Sequence, residues 1–367
     1  MPKRATQHDA RGRGAAKVAE IPRAGWKDIF WRTYNEVIGD HVMLIAAGVT
    51  FYALLALVPG LTALVSIYGL FADPVTLDRH MVLLEGLIPS DGLDLVREQL
   101  RRLAEQGQTK LGLTSLVAFL IALWSANSGV KSMFEAMNVA YDEEEKRSYL
   151  QLTAMTMIFT LATFAAILLL IGLIVVLPTV LQFIGLGTAA QWAARGGGLG
   201  LMLLLMLAGL AALYRFGPSR HAARWRWITP GAVLAMVVIL VTSGLFTWYV
   251  ASFGSYDATY GSLGAIFGFM TWLWIAAIIV IVGAELNSEI EHQTERDTTT
   301  GRPRPMGQRG AVMADTVGAT YGDAESGVRS QSERETPPRE PLPLGRFALL
   351  AGLLWFRRRA GRNQPPG

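Results

Sequence analysis

Six stretches of this chain run without a single Asp, Glu, Lys or Arg and are long enough to cross a bilayer. They fall at 42–72, 111–130, 152–183, 196–214, 227–253 and 258–284, and the shortest holds 19 residues. A helical span needs about 20 predominantly apolar residues at roughly 1.5 Å each. In lipid every backbone N–H and C=O must be paired within the segment, so each stretch is expected to be helical. The alternative for any one stretch is a buried core helix of a large soluble protein, and six stretches without a charged face argue against it. The composition agrees: 51% of the 367 residues are hydrophobic and 17% charged, against about a quarter charged in an average soluble chain. Cysteine is absent, which removes disulfides, thiolate metal sites and cysteine nucleophiles.

The net charge of +4 is compatible with nucleic acid or with an anionic membrane until the charges are located. With six spans, both ends lie on one side. That side collects 27 Lys and Arg, and the opposite side collects 6. Positive-inside then predicts both termini in the cytoplasm. The basic cluster Arg215, Arg220, Arg224 and Arg226, with Trp225 and Trp227 among it, flanks a membrane exit. There it reads as an interfacial belt, so nucleic acid is not expected as a partner. Residues 1–24 are basic and lack an apolar core, which does not fit a signal peptide.

The fold class expected is therefore all-α, a polytopic helical membrane protein. Residues 1–24 are read as a basic disordered N-terminus and 25–293 as the membrane domain. Residues 294–343, rich in Pro, Gly, Ser and Thr and without Phe, Trp or Ile, read as a disordered linker. Residues 344–367 form a short apolar-basic segment, its Phe347–Phe356 run too short to span. The first stretch is too long for a straight span, and Pro59 at its middle is the candidate hinge. Before it, Trp26, Ile29, Phe30, Thr33, Tyr34 and Val37 share a helical face, with Lys27, Arg32 and Glu36 away from it. This predicts an interfacial helix. Leucine spacing over 77–103 predicts a helical hairpin on the outer side.

Motifs of soluble enzymes are missing. There is no phosphate-binding G-x-x-x-x-G-K-[ST] and no G-x-S-x-G elbow. The five histidines are scattered, so neither a metal nor a cofactor is expected. The spans hold no internal acid or base, but uncharged polar groups occur within them: Thr50, Ser125, Asn127, Ser128, Thr242 and Ser243. Such groups either bond helix to helix or line a groove. Gly264 and Gly268 form a G-x-x-x-G, a signal for close helix contact. Lys131 and Glu135 are placed to pair at i, i+4.

Four blocks carry a resemblance. They are Ala46–Leu55 through Pro59; Leu123–Gly129 with Ala136–Tyr141; Tyr214, Pro218 and Pro230-Gly231; and Tyr260–Gly264, Trp272 and Gly283–Asn287. In this order, across about residues 25–292, they resemble the YihY / virulence factor BrkB family. The resemblance implies a bacterial inner-membrane protein with six spans. It leaves the molecular activity open, although some members bear an older ribonuclease BN label. The residues do not favour that label, since no histidine cluster for a metal is present, and an enzyme is not expected.

The function expected is transport of an amphiphilic or lipid-like envelope component. Asn127, Glu135, Asn138, Tyr260, Glu285 and Asn287 are the candidate residues, shaping a groove and gating its cytoplasmic end. The alternative is a non-enzymatic membrane scaffold or envelope-assembly factor; a ribonuclease is the remote alternative. Expected partners are membrane lipids and envelope proteins.

Overall fold

The computed structural model describes residues 10–69, 113–172, 188–253 and 262–321. Its elements are α1 (Arg23–Gly39), α2 (Val42–Gly69), α3 (Leu113–Ala140), α4 (Tyr149–Ile171), α5 (Thr188–Phe216), α6 (Trp225–Phe253), α7 (Ser262–His292) and a single turn, α8 (Val312–Asp315). Among the described residues the only strand-like pairing is an isolated bridge between Ala223 and Thr299. The chain divides into Met1–Tyr321 and Gly322–Gly367, and the second of these lies outside the described residues.

Among the described residues four helices are long and apolar enough to cross a membrane: Tyr149–Leu170, Gly196–Phe216, Trp225–Tyr249 and Phe267–Glu291. The pair Arg23–Gly39 and Val42–Leu57, bent by 61°, makes a fifth if it is one span. No more than 28% of any of the four windows is buried. Leu204, Leu245, Trp248 and Phe267 are among the large apolar side chains exposed on them. In water such a surface would be costly; against lipid it is the ordinary state.

Helix α7 is the centre of the bundle. It packs on α6 and α2, and more lightly on α1 and α3, while α2 also packs along α3. The core is built from small residues, with Ala46, Ala136, Ala211, Ala232, Ala235, Ala277 and Ala284 all buried. Lipid tails are as apolar as Leu, so small side chains that let helices approach closely are what holds such a bundle together. The closest approach joins α6 to α7 at Gly231 and Gly283. A Cβ on Gly231 would collide with the Gly283 carbonyl oxygen, and one on Gly283 would lie 2.5 Å from the Tyr214 hydroxyl. The G-x-x-x-G on α7 does not play this part, because a Cβ on Gly268 would meet nothing within 4 Å.

Helix α2 runs unbroken through Pro59. The bend in this part of the chain lies upstream, at Asp40 and His41, where His41 takes a left-handed backbone conformation (φ 53°). Helix α1 presents Phe30, Tyr34 and Ile38 outward and buries Asp28, Ile29, Arg32 and Thr33. Arg32, expected away from the apolar stripe, is buried.

The expected disorder of residues 1–24 and 294–343 does not hold for the described parts of those segments. Residues 10–22 and 294–321 wrap the end of the bundle at which α3, α5 and α7 finish. Ala311, Met313 and Ala314 bury there, as do Thr294, Thr298 and Arg309. Composition predicts disorder because the wrap has little apolar surface. It is held instead by hydrogen bonds to buried charges, which composition does not register. The expected hairpin at 77–103, residues 322–343 and the 344–367 segment lie outside the described residues.

Candidate functional site

The last turns of α7 carry three glutamates, Glu285, Glu289 and Glu291, all buried. Acids at a helix C-terminus oppose the macrodipole, so each needs a partner. Two have one. Arg220 makes a paired contact to Glu291, Nη1 to Oε2 at 3.0 Å and Nη2 to Oε1 at 2.7 Å, with both side chains fully buried. The same guanidinium lies 4.0 Å over the Tyr141 ring, and the Thr298 hydroxyl donates to Glu291. Burial disfavours the Arg220 cation, and the Glu291 carboxylate more than offsets this, so its pKa lies above the ordinary value. Arg32 donates to the Glu289 carboxylate and reaches on to the Gln293 side chain and the Ala319 carbonyl. His292 stands 3.6 Å from Glu289.

Glu285 is different. It is 1% exposed, and among the described residues neither carboxylate oxygen has a hydrogen-bond partner. The charges acting on it belong to other carboxylates, Asp40, Glu36, Glu289 and Asp142. It sits where the buried apolar core gives way to the polar cap, between Ala284 and the second buried cluster that begins at Leu286.

Asn287, two residues on, is fully engaged. Its Oδ1 accepts from the Gly231 N–H at 2.8 Å and its Nδ2 donates to the Ile228 carbonyl at 2.8 Å. Pro230 brings no N–H to the first turns of α6, and the Asn287 amide bonds the backbone on either side of it. Asn138 plays a similar part. Its Oδ1 accepts from the Ser219 N–H at 2.7 Å and its Nδ2 donates to Glu145 at 3.0 Å, fastening the end of α3 to the turn after α5. Asn127 accepts from the Thr160 hydroxyl at 3.1 Å, between α3 and α4. These three asparagines are buried joints between elements.

Glu135 is exposed, and among the described residues it forms no ion pair. The Lys131 ammonium instead donates to Thr153 at 3.0 Å and lies over the Tyr149 ring. Tyr260 lies outside the described residues. Thr242 and Ser243 open onto an apolar crevice between α6 and α7, with Ile239, Trp272 and Ile275. The structure thus brings Glu285 and Asn287 together with Asn138 at one end of the bundle. Asn127 stands apart, within the α3–α4 contact.

Arg220, expected in an interfacial belt, and Arg32, expected off the apolar stripe of its helix, are the cations that make the cap possible. The signal available was three acids in the last turns of an apolar helix, which require cations from elsewhere. Among the described residues no group of His, Asp and Glu is arranged to hold a metal ion.

A bundle with outward apolar faces and one buried polar end defines a multi-pass membrane protein. The chain matches the virulence factor BrkB family over residues 33–307 and belongs to it. It is 29% identical to a Bacillus subtilis protein with the ribonuclease-like name YfkH, covering 66% of this chain and 88% of that one. It is 28% identical to the UPF0761 membrane protein NMB0524 of Neisseria meningitidis, covering 71% of this chain and 63% of that longer protein. A UPF0761 membrane protein of Tolumonas auensis is 27% identical over 76% of this chain and 89% of its own length. No solved structure matches the chain.

Proposed function

We propose that this protein crosses a bacterial inner membrane six times, with α2 to α7 as its spans and both termini on the cytoplasmic face. We propose further that it moves an amphiphilic or lipid-like envelope component between leaflets. Glu285 carries the reading. A buried carboxyl without donors costs several kcal/mol or more (about 1–3 even for a neutral polar group). An ionisable group at the depth of a span is retained chiefly for function. Asn127, Asn138 and Asn287 then serve as the joints about which the helices hold their places, and Glu285 stands at the inner gate.

The test is leaflet exchange. Vesicles holding the purified protein and a headgroup-labelled phospholipid are treated with a membrane-impermeant quencher. The intact protein should raise the quenchable fraction beyond one half, and Glu285→Gln should abolish the rise. Exchange equal to that of protein-free vesicles ends the transport reading.

A second reading, a non-enzymatic scaffold, is favoured by the wrap over residues 294–321, which gives the inner face a fixed polar surface. Substitutions at Met306 and Gln308, exposed on the wrap, separate the two: a scaffold that uses this surface loses its partners, and a transporter keeps its exchange.

A further inference from the structure

Where the wrap folds back over the start of α6 it leaves a cavity of about 380 Å³ lined by Ala16, Arg224, Arg226, Trp227, Arg296, Asp297, Pro303 and Arg304. Four of the eight lining residues are arginines, drawn from two segments far apart in sequence. The fold holds them there through backbone bonds. Arg224 N–H donates to Thr298 O and Thr300 N–H to Ala222 O, both at 3.0 Å, around the Ala223–Thr299 bridge. Arg224 also donates its Nε to Thr299 O at 2.8 Å. Among the described residues none of the four arginines is in an ion pair with a carboxylate.

The one acid in the lining is already engaged. Asp297 accepts from the Thr299 N–H and hydroxyl and from the Arg304 N–H, at 2.7–2.9 Å. Burial pushes its carboxyl up, and these hydrogen bonds with Arg309 nearby bring it below the ordinary value, so it stays an anion that shapes the loop. Glu20, on the rim, accepts from the Ala16 and Lys17 N–H groups. Trp227 is 1% exposed, and its indole N–H has no hydrogen-bond partner. The cavity therefore has surplus positive charge and the first turn of a 29-residue helix, where the dipole also favours an anion.

We infer that this cavity is a binding site for a phosphate-bearing anion. Arginine forks match phosphate oxygens two at a time, and the volume lies within the range of small-ligand sites. Arg226 and Trp227 belong to the first turn of a membrane-crossing helix, Trp225–Tyr249, so a lipid headgroup and a soluble phosphate ester can both supply that chemistry. The site stands independently of transport, because occupancy is read at equilibrium.

The experiment uses the full chain. Lipid retained by the purified protein is counted by native mass spectrometry from nanodiscs of phosphatidylcholine mixed with phosphatidylglycerol. Separately, glycerol phosphate is titrated against thermal unfolding. The variants are R226Q/R296Q/R304Q, an equal-charge control R329Q/R334Q/R339Q, and R304Q alone, whose backbone bond to Asp297 the substitution keeps. A preference for phosphatidylglycerol that falls about fivefold per arginine removed from the cavity, and is unchanged in the control, supports the site with a headgroup as its ligand. Stabilisation by glycerol phosphate with the same variant pattern, and no lipid preference, supports it with a soluble ligand. Equal losses in cavity and control variants, or no preference for either probe, overturns it. If the triple variant does not fold, R304Q decides alone: unaltered binding of both probes overturns the site.

Discussion

Glu285 and Asn287 sit two residues apart on α7 and act oppositely on stability. Replacing Asn287 by Leu leaves the Gly231 N–H and the Ile228 carbonyl buried without partners, a loss of about 1–3 kcal/mol. Replacing Glu285 by Leu removes a carboxyl whose two oxygens have no partner, so stability should rise by about 1–3 kcal/mol while leaflet exchange is lost. Thermal unfolding in detergent, followed by tryptophan fluorescence, reads both. If Glu285→Leu destabilises as Asn287→Leu does, the carboxyl has a partner and the gate assignment falls. A second residue-scale effect concerns acid. Burial pushes Glu145 up, but the forked hydrogen bonds from Arg147, with its backbone N–H and Asn138, outweigh that and hold the carboxyl at about 2. The folded value lies below the unfolded one of about 4.3. The stabilisation is therefore complete above that pH and is lost as pH falls toward 2. The pair is partly exposed, so the effect is small and shrinks with salt. The drop in melting temperature between pH 4.5 and 2 should be shallower in Glu145→Gln; an unchanged slope means the pair adds nothing.

At the scale of elements, the crossing of α6 and α7 decides the bundle. Gly231→Ala drives a Cβ into backbone and into the Asn287 amide, and neither can move without parting the helices. About 1–3 kcal/mol is expected, the cost of overpacking. Gly283→Ala first meets the Tyr214 hydroxyl, the end of a side chain, and should cost less. Gly268→Ala meets nothing and should gain about 0.5–1 kcal/mol from helix propensity. Chemical unfolding of the three variants gives the order; equal effects at 231 and 268 would mean the helices do not meet there. The apolar helices themselves were legible, because absence of charge over about 20 residues is a local property. Their partners were not. G-x-x-x-G is a pattern within one helix, whereas Gly231 and Gly283 lie on different ones. Helix periodicity sets Arg32 away from the apolar stripe, and only the position of Glu289, far along the chain, shows why it is buried.

At the scale of the whole molecule, the cap binds segments that the sequence separates widely, and its energetics are those of buried charges. Arg13 donates to the Gly318 carbonyl at 2.6 Å, the Val312 N–H to Glu143 at 2.8 Å, the Tyr321 N–H to Asp28 at 3.0 Å, and Arg32 to Ala319 at 2.8 Å. Each bond joins the wrap to a charged group of the bundle or of residues 10–33. A chain truncated after Tyr321 keeps all of them and should remain monodisperse, with the melting temperature of the full chain. Truncation after Gln293 strips Asp28, Arg13, Arg32 and Glu143 of these partners at once. Glu291 also loses the Thr298 hydroxyl. Leaving buried charged groups short of hydrogen bonds costs about 1–3 kcal/mol each, more where a pair is broken. Five such losses together are comparable to the net stability of an ordinary domain, about 5–15 kcal/mol. The shorter chain should aggregate on size-exclusion chromatography or yield rapidly to trypsin at the exposed N-terminal arginines. If it is as stable as the longer one, the wrap lies on the bundle without supporting it, and the Arg32–Glu289 and Arg220–Glu291 pairs suffice to close the inner end.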